Sequence, residues 1–100
     1  MYARVAQYEF PEDQLETAVA SFREAGDELS QLDGFSGGYV LIGDDGSTLT
    51  TMTLWATRSS LESSDTRASL LRRRACQGAG GSVQSVRSYE VMPLVALQPT

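Results

Sequence analysis

Histidine, lysine and asparagine are absent from this chain of 100 residues, and cysteine occurs once. Without histidine there is no imidazole base, no nucleophile activated by histidine, and no histidine ligand for a metal or a haem. Without lysine the chain cannot form a Schiff base with a carbonyl substrate. The single cysteine, Cys76, closes no disulfide within the chain and offers no pair of metal ligands. We therefore expect a protein of a reducing compartment without a metal site.

Positive charge and long apolar runs are also scarce. The formal net charge is −5 and the pI is near 4.5, which gives no electrostatic basis for binding nucleic acid or an anionic membrane surface. No apolar run approaches the roughly 20 residues that span a bilayer, and the N-terminus has no continuous apolar segment of a secretory signal. With 41% hydrophobic residues, we expect one small cytoplasmic domain over residues 1–100.

The first half of the chain is typical of a strand, a helix and a second strand. Residues 2–10 alternate between two faces, one of them rich in aromatic side chains, and Pro11 ends the strand. A single apolar stripe then predicts an amphipathic helix that ends at Asp33-Gly34. Residues 35–42 form the second predicted strand, and Gly37-Gly38 near its start permits a bulge.

The second half begins with a tight turn and gives a strand, a helix and a last strand. Gly43-Asp44-Asp45-Gly46 predicts a hairpin, so the strand of residues 47–56 pairs antiparallel with the one before it. Ser59-Ser60-Leu61-Glu62 contains a capping box that predicts the start of the second helix, which runs to about Gln77. The last predicted strand covers residues 83–95.

Two features near the end of the second helix have alternative interpretations. Arg72, Arg73 and Arg74 lie in its predicted last turn, where cations offset the exposed backbone carbonyls, or they form a site for an anion. Cys76 is either a small packed helix residue or a reactive thiol whose pKa the preceding arginines lower.

This order of elements predicts an α+β, ferredoxin-like βαββαβ fold. Strand-helix-strand crossovers are right-handed, which gives a four-stranded antiparallel sheet with both helices on one face. The opposite face is expected to carry Met52, Leu54, Val40 and Ile42, more apolar surface than strands facing water usually show. Pairing of two sheets would cover it, so we predict a homodimer through this face, a closed barrel with the helices outside.

Four short segments of the sequence are similar to segments of a known protein family. They are Asp33-Gly34-Phe35-Ser36-Gly37-Gly38, the hairpin turn, Leu54-Trp55-Ala56-Thr57-Arg58-Ser59 and Ser88-Tyr89-Glu90-Val91. In these segments, in length and in element order, the whole chain resembles the dimeric α/β-barrel superfamily, and within it the antibiotic biosynthesis monooxygenase branch. The resemblance implies a cleft in each subunit, between the sheet and the second helix, for a small aromatic ligand.

The same resemblance implies the residues of the site. Members that oxidise aromatic polyketides without a metal or flavin cofactor use a tryptophan, an asparagine, a tyrosine and an arginine. Trp55 matches the tryptophan and Arg87 the arginine of the last strand, whereas this chain has no asparagine. Members that degrade haem use an Asn-Trp-His set, of which two residues are missing here, and this argues against haem degradation. We expect catalytic roles for Trp55 and Arg87, and substrate-binding roles for Tyr8, Thr51, Thr53 and Tyr89.

Each of these residues also has a structural interpretation. Trp55 would be a core residue with one partner for its indole N–H, and Arg87 would pair with Glu9 or Glu90. The tyrosines would be rings of the core or of a dimer interface. Two functions therefore stay open. One is a cofactor-independent monooxygenase acting on a small aromatic or phenolic substrate, with Arg87 stabilising its anion. The other is a non-catalytic homodimer that binds a small ligand.

Overall fold

The computed structural model describes residues 1–95 and has the predicted α+β, ferredoxin-like architecture. The strands form one antiparallel sheet in the order β2-β3-β1-β4. No helix in these residues is long and apolar enough to cross a membrane. The strands are β1 (Tyr2–Glu9), β2 (Phe35–Ile42), β3 (Thr48–Trp55) and β4 (Ser82–Glu90), and the helices are α1 (Leu15–Leu29), α2 (Arg58–Ser63) and α3 (Asp65–Ala79).

The ends of the first helix and of the last strand differ from the prediction. α1 ends at Leu29 and not at Asp33-Gly34, because the Ser30 hydroxyl donates to the carbonyl of Asp27 at 2.6 Å and satisfies a terminal acceptor. Gly34 still has a φ of 84°, in the turn that leads into β2. β4 ends at Glu90, whereas the prediction extended it to residue 95.

The second helix begins earlier than its predicted capping box. Thr57 is the N-cap: its hydroxyl accepts from the backbone N–H of Ser60 at 3.0 Å, and the Ser60 hydroxyl accepts from the backbone N–H of Thr57. The helix is interrupted at Ser64, whose hydroxyl donates to the carbonyl of Leu61 at 2.6 Å. Two helices, α2 and α3, therefore occupy the place of the one that was predicted.

β2 contains a bulge near its start. Phe35 pairs with Trp55 on β3, but Gly37 pairs with the adjacent Leu54, so Ser36 is an extra residue in β2. Gly37 has a φ of 143°, a conformation that favours glycine. The bulge that Gly37-Gly38 permits is thus confirmed.

The pairing of β2 with β3 corrects the predicted orientation of β2. Val40 pairs with Thr51 and Ile42 with Leu49, so both point toward the helices together with these β3 residues. We call this side of the sheet the helix face and the opposite side the outer face. The register is continuous from Ile42 back to Gly37, so Tyr39 and Leu41, in place of Val40 and Ile42, accompany Met52 and Leu54 on the outer face.

The hairpin between β2 and β3 is held by Asp45. Its carboxylate accepts from the backbone N–H groups of Ser47 and Thr48, both at 2.9 Å, and from the Thr48 hydroxyl at 2.7 Å. The hydroxyl of Thr48 and these amides lower the pKa of Asp45 from 3.8 to about 2. The turn predicted from Gly43 to Gly46 is therefore confirmed, and its second aspartate stabilises it.

Replacing Asp45 by alanine is expected to lower the free energy of unfolding at neutral pH. Because the folded-state pKa is depressed, the carboxylate stabilises the fold above pH 3.8, and this contribution is lost as the pH falls toward 2. Urea unfolding of the wild type and Asp45→Ala should therefore converge over that interval. Asp44→Ala is the matched control, and an identical pH profile for both variants would contradict the role of Asp45.

The core between the helix face and the helices consists of two clusters. In one, Tyr8, Phe10 and Phe22 pack with ring centroids 4.7 to 6.1 Å apart. In the other, Trp55 packs with leucines of α1, α2 and α3. Between the clusters the middle of the helix face carries small side chains, namely Gly38, Thr51 and Thr53, beside Ala6 of the first cluster. Side chains of this size leave space between the sheet and the helices.

Candidate functional site

A cavity of about 670 Å³ occupies the space between the two core clusters. Its walls come from the helix face of β1, β2 and β3 and from helices α1 and α3. Small-molecule sites typically measure roughly 300–1,000 Å³ and are mostly apolar with a few polar groups, and this cavity has both properties. The apolar wall includes Val19, Phe22, Ala25, Leu29, Val40 and Leu71.

Tyr8 and Thr51 form a polar floor in the cavity. The two hydroxyls share a hydrogen bond of 3.3 Å, and both residues line the cavity. Burial raises the pKa of the Tyr8 phenol, and the hydrogen bond with Thr51 and the positive charge of Arg72 offset this effect in part. Tyr8 is therefore protonated at neutral pH and can donate a hydrogen bond to a ligand.

Arg4 is a cavity residue that sequence reasoning did not select. It is 5% exposed, and its guanidinium donates to the Ser64 hydroxyl at 3.1 Å and to the Leu61 carbonyl at 2.8 Å. Asp65 lies 3.5 Å away and is largely exposed. Burial lowers the pKa of Arg4, an effect that Asp65 opposes. The alternation of β1 places Arg4 on the face of Tyr8, and this was the signal that could have identified it.

Arg72 is the second arginine that lines the interior of the cavity. α3 continues to Ala79 and has no basic residue in its last turn, so Arg72 lies in the helix interior. The helix-end interpretation of the three arginines is therefore wrong. Arg72 is half-buried, and no carboxylate among residues 1–95 lies within 4.0 Å of it. The alternative, a site for an anion, stays a prediction.

Trp55 lies beside the cavity and is not part of its wall. Its side chain is fully buried, the indole N–H donates to the Thr53 hydroxyl at 3.0 Å, and Phe35 packs edge-on at a centroid distance of 5.4 Å. This corrects the expected position of Trp55 on the cleft wall, because the ring fills one of the two core clusters. Thr53 itself does line the cavity.

The structure does not bring Arg87 and Tyr89 to the cavity. They pair with Val5 and Ala3 of β1, so they lie on the outer face. Their predicted position in the cleft with Tyr8 is corrected accordingly. β4 is an edge strand, and most of its residues are exposed on both faces. The alternation of apolar and polar residues along β4 therefore did not indicate which face the helices cover.

On the outer face Arg87 and Tyr89 border a separate hollow of about 270 Å³, together with Val5, Gln7, Gln84 and Ser85. Within the described part of the chain, no carboxylate lies within 4.0 Å of Arg87. The predicted ion pair with Glu9 or Glu90 is therefore absent from this structure. The catalytic role expected for Arg87 and the substrate-binding role expected for Tyr89 stay predictions.

Cys76 and the acidic residues do not form a further site. The Cys76 thiol is buried in the core, and burial raises its pKa against the smaller effect of Arg72. The interpretation as a packed residue is thus the one the structure supports, since a reactive thiol has a lowered pKa. In residues 1–95 no group of three or more histidine, cysteine, aspartate or glutamate residues is arranged to hold a metal ion.

Several solved structures share this fold. Rv0793 from Mycobacterium tuberculosis has a TM-score of 0.72 and 14% identity, over 95% of this chain and 98% of its own. SnoaB, a cofactor-independent oxygenase from Streptomyces nogalater, has a TM-score of 0.73 and 10% identity, over 94% and 95%. An antibiotic biosynthesis monooxygenase has a TM-score of 0.69 and 13% identity, over 93% and 100%.

The sequence comparisons add nothing to these structural ones. A scan against protein-family models gives no match, and neither does a search of curated proteins. The predicted resemblance to antibiotic biosynthesis monooxygenase-like proteins is therefore confirmed at the level of the fold. At these identities the likeness shows the fold alone.

Proposed function

We propose that this protein is a cofactor-independent monooxygenase that oxidises a small aromatic or phenolic compound in the cavity between the sheet and the helices. The observation that carries this proposal is an apolar cavity of about 670 Å³ with a floor of two hydrogen-bonded hydroxyls, those of Tyr8 and Thr51. The wall accommodates an aromatic ring, and the floor receives its oxygen substituent. The fold shared with SnoaB, a cofactor-independent oxygenase, supports the same activity.

The proposed reaction needs no reductant other than the substrate. When a phenol is oxidised to a quinone, a ring C–H becomes a carbonyl and the phenol O–H becomes a second one, so the substrate loses two hydrogens and gains one oxygen atom. Dioxygen supplies that atom, and its second atom leaves with the two hydrogens as water, which is a balanced four-electron step. The protein has to orient the electron-rich ring and exclude bulk water, and the apolar wall serves both purposes. Tyr8 is a neutral donor in a site of low dielectric, so it can stabilise the oxygen anion that develops on the substrate.

One observation favours a second function, a non-catalytic homodimer that binds the same class of ligand. Among residues 1–95, no group that lines the cavity is suited to act as a general base at neutral pH. The chain has no histidine, burial raises the pKa of Tyr8, and the carboxylate that lines the cavity, Asp27, is exposed. Binding alone requires no base. Recording tryptophan fluorescence together with dioxygen uptake separates the two functions, because only the monooxygenase consumes dioxygen.

The test is to add polycyclic phenols and quinols to the protein and to record tryptophan fluorescence and dioxygen uptake together, with autoxidation in buffer subtracted. We expect dioxygen uptake that matches substrate loss. Tyr8→Phe should reduce its rate about 100-fold, the usual effect of removing one oxyanion donor. Tyr2→Phe, at a tyrosine that does not line the cavity, should leave the rate unchanged. Fluorescence changes without oxygen uptake would support the binding protein, and no response to the panel would contradict both functions.

We also propose that two chains associate through the outer face. Tyr39 is 63% exposed in the single chain, and Leu41 and Tyr89 are each 49% exposed. Val5, Met52 and Leu54 lie between them on the central strands. Burial of apolar surface contributes about 25 cal/mol per Å², so covering this contiguous patch with a second copy would stabilise a homodimer.

Replacing Leu41 by glutamate is expected to convert this dimer into a monomer, because a carboxylate buried in the interface would lose its water. Sedimentation velocity at micromolar protein measures the change in mass. Leu70→Glu is the control, since Leu70 is also exposed, at 40%, but lies on α3. A monomeric wild type, or a Leu41→Glu variant that remains dimeric, would contradict the proposed interface.

A further inference from the structure

We infer that the cavity selects organic anions and that Arg72 binds their ionised acidic group. The inference rests on the proposed function for the identity of the site, and it goes further by naming the ligand class. That class is an aromatic compound that carries an ionised phenol, enol or carboxylate.

The charge of the cavity is opposite to that of the chain. The chain has a formal net charge of −5, whereas the charged residues that line the cavity within residues 1–95 are three arginines, Arg4, Arg23 and Arg72, and one carboxylate, Asp27. Charges that line a cleft with apolar walls act more strongly than charges on an open surface. The cavity therefore attracts anions although the protein as a whole is acidic.

The three arginines differ in how far they are already paired. Arg4 has an ion-pair partner in Asp65 and two further acceptors near the junction of α2 and α3. Arg23 is exposed at the rim, where water screens its charge. Arg72 is half-buried and has no carboxylate within 4.0 Å in the part of the chain that the structure describes. An incoming anion would therefore gain most from Arg72.

The surroundings of Arg72 suit an acidic group attached to a ring. Its positive charge lies close enough to Tyr8 to lower the pKa of that phenol, so both residues act on the same region of the cavity. The Tyr8 hydroxyl, paired with Thr51, is a second donor for the ligand's oxygen. Phe22 and Leu71 provide apolar wall for the ring in the same cavity.

Two probes of the same size and ring, one with an ionised carboxylate and one with a neutral amide, test this inference. Naphthoate and naphthamide, substituted at the same ring carbon, are titrated into the protein by calorimetry at neutral pH. The wild type should bind naphthoate about ten-fold or more tightly than naphthamide, as expected of charge-assisted hydrogen bonds. Arg72→Gln should remove this preference and leave the affinity for naphthamide unchanged. Arg73→Gln removes the same charge from an exposed position of α3 and should match the wild type.

Arg72→Lys should retain part of the preference, because a positive charge remains while the planar guanidinium is lost. The inference is overturned if the wild type binds both probes equally, or neither, or if Arg73→Gln acts like Arg72→Gln. It is also overturned if Arg72→Gln weakens both probes to the same extent, since that would indicate a packing role. A clear preference for naphthoate without dioxygen uptake on any phenol would retain this inference and remove only the oxygenase function.

Discussion

Replacing Trp55 by alanine is expected to lower the free energy of unfolding by about 3–5 kcal/mol, the usual cost of removing a large buried aromatic side chain. The indole ring has no exposed surface. The Phe35 ring packs edge-on with it, at a centroid distance of 5.4 Å and an interplanar angle of 84°. The cavity that alanine would leave is enclosed by core side chains of three helices. Urea unfolding followed by circular dichroism measures the loss.

Trp55→Phe distinguishes a core residue from a catalytic one. Phenylalanine retains most of the apolar contacts, so we expect a smaller loss of stability than with alanine. Dioxygen uptake should stay at the wild-type level, because Trp55 is absent from the cavity wall and Thr53 already satisfies its indole N–H. A Trp55→Phe variant that is as stable as the wild type but inactive would contradict this placement and support the catalytic role predicted from the sequence.

The element order was predictable because its signals are local. The turn residues of the hairpin, the apolar stripe of α1 and the glycines that start β2 each act within a few residues. The helix boundaries were less predictable, because alternative caps compete. Ser30 ended α1 before the glycine that was expected to do so, and Thr57 capped α2 ahead of Ser59.

The site was harder to predict, because it depends on which face of a strand each side chain takes. The register of the hairpin places Val40 and Ile42 on the helix face, and β2 carries apolar side chains on both faces, so its alternation did not reveal which face is covered. On the edge strand β4 neither face has a clear apolar pattern, and Arg87 was placed on the wrong side.

Three expected substrate-binding residues, Tyr8, Thr51 and Thr53, do line the cavity, because β1 and β3 are central strands whose alternation is unambiguous. Arg72 was assigned to a helix end because the end of α3 was placed too early. The cavity itself was not predictable in size, since it results from small side chains on separate strands that meet only in the folded sheet.

Replacing Gly26 by phenylalanine is expected to abolish ligand binding in the cavity without unfolding the protein. Gly26 lies in α1 and lines the cavity, and a Cβ atom added there would meet no other atom within 4 Å. Its φ is not positive, so the backbone accepts a side chain without strain. Gly26→Ala should even raise the free energy of unfolding by about 0.5–1 kcal/mol, because glycine is unfavourable inside a helix.

The two substitutions at Gly26 separate the effect of filling the cavity on ligand binding from the effect of a side chain in α1 on stability. Naphthoate binding should fall below detection in Gly26→Phe and persist in Gly26→Ala, while urea unfolding shows both variants to be folded. Glu24→Phe adds the same ring to an exposed position of α1 outside the cavity wall and should bind as the wild type does. Undiminished binding by a folded Gly26→Phe variant would place the ligand elsewhere, because the ring and an aromatic anion cannot occupy the same space between α1 and the sheet.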